Sequence, residues 1–401
     1  MTVVAPTTLD ALVLDLDTRG GLSIVRALGE AGLRLATAAP VEAPGLRTRH
    51  ADARFLLPAP ADGVPAALEA LVEALRRQPV DVILTSGDPW LALLHEHRDA
   101  IAPLAAPAVG SVEAVALALS KPRTLALAAE LAIPAPRSLS ACSAAEATAA
   151  ATELGLPVVL KPASSWRPDD AGDGGDRLSP TWCATSAEVE TAAAALARPD
   201  APVLVQEVAP GARETHKLFV AGGEVLARVV MEPLRCWPPL GGSSTMRQTI
   251  RPPADSAAMA ERLVLETGLE GYSEVEFRRS ADGRPLLMEI NPRLSQSIEI
   301  ARKAGVDFAR LQLEWARGGR LDRVEGYRIG VRVGWLAGDA RFAVSALRGS
   351  GSPAPTRRDA AQIGRDYLTG TRIEGLDLSD PRPVLSALAF NARGLVRKLA
   401  A

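Results

Sequence analysis

The chain has 401 residues, 47% of them hydrophobic, and a formal charge of −2 at pH 7. That is apolar material for two or three domains of roughly 100–200 residues each, and so balanced a charge argues against a nucleic-acid-binding surface. No apolar run approaches the ~18–20 residues of a membrane span, and the N-terminal MTVVAPTTLDALVLDLD lacks the basic flank of a signal peptide, so a cytoplasmic protein without membrane contact is expected. The cysteines Cys142, Cys183 and Cys236 are odd in number and far apart, which fits neither a disulfide framework nor a zinc site. Only five of the 45 basic residues are lysines (Lys121, Lys161, Lys217, Lys303 and Lys398), so each of them merits inspection.

The first hundred residues alternate strand and helix signals. ALVLDL is a short apolar run that leads through a Gly-Gly turn into the helical pattern LSIVRALGEAG. LRLATAA then reads as a second strand, PAALEALVEALRRQ as a helix and VDVILTS as a third buried strand. This βαβαβ order predicts a doubly wound parallel sheet, hence an α/β front domain. The loop DTRGGLS lacks the spacing of a dinucleotide motif, and it reads as a tight turn or a substrate-facing loop. Thr85, Ser86 and Asp88 end a parallel strand and are open to the same two readings. From Ser111 the pattern changes. Two helices meet at Lys121-Pro122, LPVVLKP is a strand, and SAEVETAAAALARP is a helix. APVLVQEVAPG is a strand that ends in a turn, and KLFVAGGEVLARVVME is a hairpin through Gly222-Gly223. A long loop and the helix SAAMAERLVLETG precede a second hairpin, YSEVEFRRSADGRPLLMEIN. Beyond it come a strand pair (YRIGVRVGWLA), the Gly/Ser/Pro-rich LRGSGSPAPT and a last amphipathic segment from Val384, which packs on the protein or touches a membrane surface.

The second hairpin carries the chemistry. Asp282-Gly283 is a strong two-residue turn signal, and that turn places Glu276 directly opposite Glu289 and Glu274 opposite Asn291. Alternate residues share a strand face, so Glu289, Asn291 and Arg293 line up as a carboxylate, an amide and a guanidinium. Directly opposed like charges destabilise a sheet. Two readings are open: a hard divalent cation held by oxygen ligands, or a solvated face paired with arginines. Lys161, at the end of an apolar strand, and Lys121, at a helix junction, fit point contacts with phosphate oxygens. Gln206 and Glu207 end a strand whose backbone is suited to hold an adenine edge.

In this order, a lysine before "IPAP", a lysine in "PVVLKP", an acid in "VQEVAPG", then "VEF" and "MEINPR" resemble the ATP-grasp superfamily. The resemblance is to the predicted carboligases that include D-aspartate ligase, akin to the ATP-binding domains of carbamoyl-phosphate synthase. It implies an ATP-grasp fold with an α+β core behind a Rossmann-like domain at 1–110. The ATP-grasp part spans 111–325, with a lid at about 125–205, and an extension follows at 326–401. It also implies roles. Lys121 and Lys161 contact ATP phosphates. Gln206, Glu207 and Val208 form the adenine hinge, and Glu214 or His216 approaches the ribose. Glu276, Glu289 and Asn291 bind Mg²⁺, for which Mn²⁺ can substitute, and Arg293 faces the reacting carboxylate. The implied reaction makes an acyl phosphate from a small-molecule carboxylate and ATP, and an amine then attacks it. The alternatives are activation of bicarbonate and a catalytically silent nucleotide-binding module. A homodimer is common among such proteins.

Two loops depart from the family pattern. SSWRPDDAGDGGDRLSP carries Asp169, Asp170, Asp173 and Asp176, which would repel a triphosphate. Its acidic part reads either as facing a cationic amine, through Asp169 and Asp170, or as a solvated loop. LRCWPPLGGSSTMRQ offers Gly242 and Ser243 as backbone donors to an acyl oxyanion, flanked by Arg235 and Arg247 as grips for an anionic substrate; the other reading is a plain connector. His95 and His97 point to opposite helix sides, without a third metal ligand in view.

Overall fold

The aliphatic runs near the N-terminus form a parallel sheet. The computed structural model describes residues 7–387 apart from 164–165, 169–174, 178–179, 199–200, 240 and 351–353. Strands β1 (Leu9–Val13), β2 (Leu35–Ala39), β3 (Ala53–Leu56), β4 (Val80–Leu84) and β5 (Ala106–Pro107) pair in parallel in the order β3-β2-β1-β4-β5. The apolar stripe of α1 (Arg19–Glu30) packs with Ala11 and Val13. That of α2 (Val64–Arg77) packs with Leu12 and Ala36, on the opposite face. Both faces are thereby covered, as a buried parallel sheet requires. β3 and β5 were not foreseen, because ARFL and AP are too short to show a period.

The order reverses between β1 and β4, and the loops there lie at the carboxyl ends of the strands. Asp15, at φ 62°, holds the two loops together. Its Oδ2 accepts from Thr85 Oγ1 at 2.6 Å, Ser86 N at 2.9 Å and Gly87 N at 3.0 Å. Burial outweighs those bonds and pushes its carboxyl up to about 6. We predict that Asp15→Ala, which strands three donors, costs about 2–4 kcal/mol, whereas Asp15→Asn keeps an acceptor and costs less. Urea unfolding of the two variants checks this, and equal losses would contradict it.

α3 (Asp88–Glu96), α4 (Arg98–Ile101), α5 (Val112–Leu119) and α6 (Lys121–Glu130) lead to the next layer. There β6 (Ser138–Ala141), β7 (Val158–Pro162), β10 (Thr181–Cys183) and β11 (Val203–Glu207) form an antiparallel sheet, β10-β7-β11-β6, and β8 (Trp166–Pro168) pairs separately with β9 (Gly175–Arg177). Helices α7 (Ala144–Leu154) and α8 (Ser186–Leu196) bury an alanine-rich stripe on this sheet.

The largest sheet has seven strands. β12 (Arg213–Ala221), β13 (Glu224–Trp237), β14 (Ser243–Thr249), β15 (Gly271–Arg279), β16 (Pro285–Asn291), β17 (Arg332–Gly334) and β18 (Arg372–Ile373) run in the order β16-β15-β12-β13-β14-β17-β18. Gly222-Gly223 turns the first hairpin, as expected. Two expectations are corrected. The stretch 234–248 is not a connecting loop, because β13 continues to Trp237 and turns back into β14. YRIGVRVGWLA is one short strand rather than a pair, since Leu336 opens helix α12 (Leu336–Arg348). Helices α9 (Ala254–Glu266), α10 (Glu299–Ala304), α11 (Phe308–Ala316) and α13 (Arg357–Leu368) and a 3-10 turn at Pro44–Arg47 are the other elements. The amphipathic segment from Val384 lies mostly outside the described residues.

The Asp-Gly hairpin differs from expectation in an instructive way. Its turn has three residues, not two. Ser280 N donates to Arg284 O, Gly283 N donates to Ser280 O, and Gly283 sits at φ +83°, which only glycine adopts readily. Pairing next to the turn is therefore one step off, with Phe277 opposite Leu287. A bulge at Met288 takes up the extra residue, and Glu276 opposite Glu289 and Glu274 opposite Asn291 are restored.

Candidate active site

Three strands of the large sheet present polar side chains on one face. The β12–β15 register sets Thr215 beside Glu276 and Lys217 beside Glu274, and β16 adds Glu289 and Asn291. Asn291 Nδ2 donates to Glu289 Oε1 at 3.1 Å. Arg213 Nη1 stands 3.8 Å from Glu276 Oε2 and donates to Gly242 O at 3.2 Å. Burial drives the Glu276 carboxyl up to about 7, with Glu289 and Glu274 adding to the effect and Arg213 opposing it. Arg213 offsets the crowding of the two carboxylates only in part.

Deeper on the same face lies a buried network. Lys217 is fully buried and bonds to Glu274, to Ser295 Oγ at 2.9 Å and to Ser297 Oγ at 2.8 Å. Burial works against the Glu274 carboxylate, but the Lys217 ammonium prevails and holds it below the usual range. Arg293 donates to Asp88, the first residue of α3, and reaches Asn291 Oδ1 at 3.5 Å. Burial disfavours its charge too, yet Asp88 keeps it firmly cationic. The front domain therefore touches this face through Asp88. A polar cavity of about 170 Å³ opens here, walled by Arg19, Ser243, Asn291, Arg293 and Gln296 among others.

The two lysines and the hinge lie on the side of the smaller sheet. Lys161, on β7, points from its strand into a cleft of about 110 Å³ that it shares with Trp182, Glu207, Val208, Met288 and Glu289. Its Nζ is 4.0 Å from Met288 Sδ, and burial lowers it to about 8 although Glu289 pulls the other way. Lys121 opens α6 and is buried beside Asp88, Glu289 and Asn291, and its N–H donates to Ala163 O at 3.0 Å. Gln206 Nε2 donates to Ser138 Oγ at 2.9 Å, and Arg137 Nη1 donates to Glu207 Oε1 at 3.3 Å. Both residues line the same cleft as Lys161.

Several expected roles do not survive the geometry. Glu214 and His216 alternate with Arg213, Thr215 and Lys217, so they face the other side of the sheet. There Glu214 accepts from Ser256 Oγ at 2.6 Å and Arg279 Nε at 2.6 Å, and His216 Nε2 lies 3.1 Å from Ser256 Oγ. Neither lines the cleft that holds Lys161. Arg235 is buried and saturated by Asp339 at 2.7 and 3.0 Å and Asp366 at 2.8 Å, which makes it a structural tie between β13 and helices α12 and α13, not a substrate grip. Arg247 is fully buried against Glu374 and does not reach solvent. Gly242 cannot serve as an oxyanion donor here, because its N–H donates to Pro238 O at 2.9 Å within the turn. Ser243 remains on the cavity wall. Asp169 and Asp170 lie outside the described residues.

Nothing local marks Gln296 and Glu374, and Arg19 is marked only as part of the loop DTRGGLS, open to a turn or a substrate-facing reading. Lys217 had a signal: a rare lysine opening the apolar run LFV. Among the described residues there is no group of three His, Cys, Asp or Glu side chains arranged to hold a metal, and the oxygens that this face offers are those of Glu276, Glu289 and Asn291. No described helix is long and apolar enough to cross a membrane.

A family model described as "ATP-grasp in the biosynthetic pathway with Ter operon" matches residues 235–338. The chain is 30% identical over 269 residues to the carbamoyl phosphate synthase large chain of Rubrobacter xylanophilus, a match that covers 64% of this chain and 24% of that one. It therefore spans about a quarter of that relative's length. It is 26% identical over 279 residues to D-alanine–D-alanine ligase B of Pseudomonas putida, covering 61% of this chain and 84% of the ligase. The fold is similar to that of the biotin carboxylase domain of 2-oxoglutarate carboxylase from Hydrogenobacter thermophilus, solved with MgADP, ADP and bicarbonate. That likeness has a TM-score of 0.63 at 15% identity, over 81% of this chain and 74% of the other. The family model, the two sequence relatives and the fold agree with the sequence motifs and together support an ATP-grasp superfamily member.

Proposed function

We propose that this protein is an ATP- and Mg²⁺-dependent ligase that joins a small carboxylic acid to an amine through an acyl phosphate. An amino acid or small peptide is the substrate on one side. The observation that carries this reading is Glu276 directly opposite Glu289, with Asn291 on the same face. Such a pair is costly without a cation. Its oxygens suit magnesium, which takes one or two carboxylates and completes its octahedron with phosphate and water. When bound, magnesium neutralises charge on the β- and γ-phosphates; manganese is the natural substitute.

The chain's own residues supply the rest. Lys121 and Lys161 meet the phosphates as point charges. Gln206, Glu207 and Val208 border the adenine. Arg293, pinned by Asp88, orients the acid so that a carboxylate oxygen attacks the γ-phosphorus and the bond to ADP breaks. The amine nitrogen then attacks the acyl carbon, a C–N bond forms, the C–O bond to phosphate breaks, and the amine loses a proton. Most of the catalysis is positioning and electrostatics.

Nucleotide binding should move protons in opposite directions at the two ends of the pH range. Glu276, pushed up to about 7, is largely protonated in the free protein at about pH 6.5 and must lose that proton to hold a cation, so MgATP binding releases protons there. Lys161, lowered to about 8, is largely neutral at about pH 8.5 and regains its proton beside the phosphates, so binding takes protons up. Calorimetry in buffers of different ionisation heat reads both, and an exchange of the same sign at the two pH values contradicts the assignment.

A screen of paired acids and amines for ADP release, with mass spectrometry of products, tests the function. ADP release that needs both partners and yields their amide supports it. Release driven by bicarbonate alone would mark a carboxylating enzyme, and tight ATP binding without turnover would mark a silent module.

A further inference from the structure

The C-terminal strap at 372–380 crosses from the large sheet to the front domain and is pinned at both ends. Glu374 N donates to Gly334 O at 2.8 Å, and Gly375 N donates to Glu299 Oε2 at 3.0 Å. At the far end Asp380, fully buried, accepts from Arg26 Nε at 3.0 Å, Thr48 Oγ1 at 2.7 Å and Arg49 N at 3.0 Å. Between these anchors the Glu374 side chain turns inward and is shared by two guanidiniums. Arg247 holds one oxygen, and Arg19 reaches the other at 2.5 Å.

These two arginines are not equivalent. Arg247 is fully buried and its Nε and Nη1 have no partner among the described residues, so the cost of a buried unpaired charge ties Glu374 to it. Glu374 is shared between two cations, with Glu299 a second acid acting on the more exposed of them, Arg19. Its side chain is 22% exposed and its guanidinium stacks 4.1 Å from the Trp335 ring centroid, an arrangement that fixes the plane without consuming the N–H donors. Arg19 walls the same cavity as Arg293, Asn291 and Ser243, on the front-domain side.

We propose that Arg19 is the front-domain contact for the anionic end of the acid substrate, and that Glu374 on the C-terminal strap positions it there. This rests on the ligase reading. The strap is then part of the site rather than an appendage, because it sets how Arg19 stands against the sheet that carries Glu276 and Glu289.

The test uses the full chain and an acid–amine pair from the screen above. Loss of a charge-assisted bond to a carboxylate is expected to raise the acid KM of Arg19→Ala about 10- to 100-fold, with ATP KM within about twofold. Arg19→Lys recovers part of the loss. Glu374→Gln shows the same split between the two KM values. Because it leaves Arg247 without a counter-charge and can unfold, Trp335→Leu provides a second route to a misplaced Arg19. A further readout is independent of turnover: the acid with MgADP shields Arg19 from phenylglyoxal, as peptide mass spectrometry shows. An unchanged acid KM in Arg19→Ala, or an equal rise for acid and ATP, overturns the inference. ADP release by the unaltered chain that needs no acid would instead remove the ligase reading itself.

Discussion

Replacing Glu289 by alanine is expected to slow ADP release about 10³-fold, roughly 4 kcal/mol at 1.36 kcal/mol per tenfold, while leaving the fold as stable as before or more so. The two effects have one origin. Glu289 stands directly opposite Glu276, and burial, with their mutual repulsion added, lifts Glu276 to about 7. Removing one acid relieves that repulsion in the resting protein. The same removal takes away half of the carboxylate clamp that would hold magnesium against the transferring phosphoryl group. Steady-state kinetics with saturating MgATP and a thermal melt without nucleotide measure the two sides. Loss of activity through mere unfolding would appear as a lower melting temperature, the opposite of the expected shift.

The second large effect concerns stability. Lys217→Met leaves Glu274 buried without its cation and strands Ser295 and Ser297, whose hydroxyls now accept from the ammonium. Breaking a buried pair from one side costs about 3–5 kcal/mol, whereas replacing both partners by apolar groups of similar size is often neutral or better. Lys217→Met/Glu274→Leu should therefore be more stable than Lys217→Met alone. Urea unfolding of the single and double variants reads the difference. A single variant within about 1 kcal/mol of the parent would show that the network contributes little.

Local chemistry made some of this legible in the sequence, and contacts distant along the chain hid the rest. Glu276, Glu289 and Asn291 could be placed because they lie on one hairpin, where alternation alone decides which side chains share a face. Even there the expected pairing arises in another way than a two-residue turn: the third turn residue and the bulge at Met288 offset each other. Lys121 and Lys161 stood out by rarity. Glu214, His216, Arg235 and Arg247 were misassigned because residue type does not say which face of a strand is inward, nor which carboxylate is waiting there. Asp339, Asp366 and Glu374 lie more than a hundred residues from the arginines they bind. The same distance concealed that Glu374 also binds Arg19, whose loop DTRGGLS was open to a substrate-facing reading. The hairpin of β13 and β14 was read as a loop because WPPLGGSS carries strong turn signals that masked the strands on either side.

The most direct measurement of the central claim is anomalous scattering from manganese in crystals grown with a non-hydrolysable ATP analogue. The expected result is a manganese peak bonded to carboxylate oxygens of both Glu276 and Glu289 and to the nucleotide's β- or γ-phosphate. A peak bound to the phosphates but remote from these two side chains would contradict it.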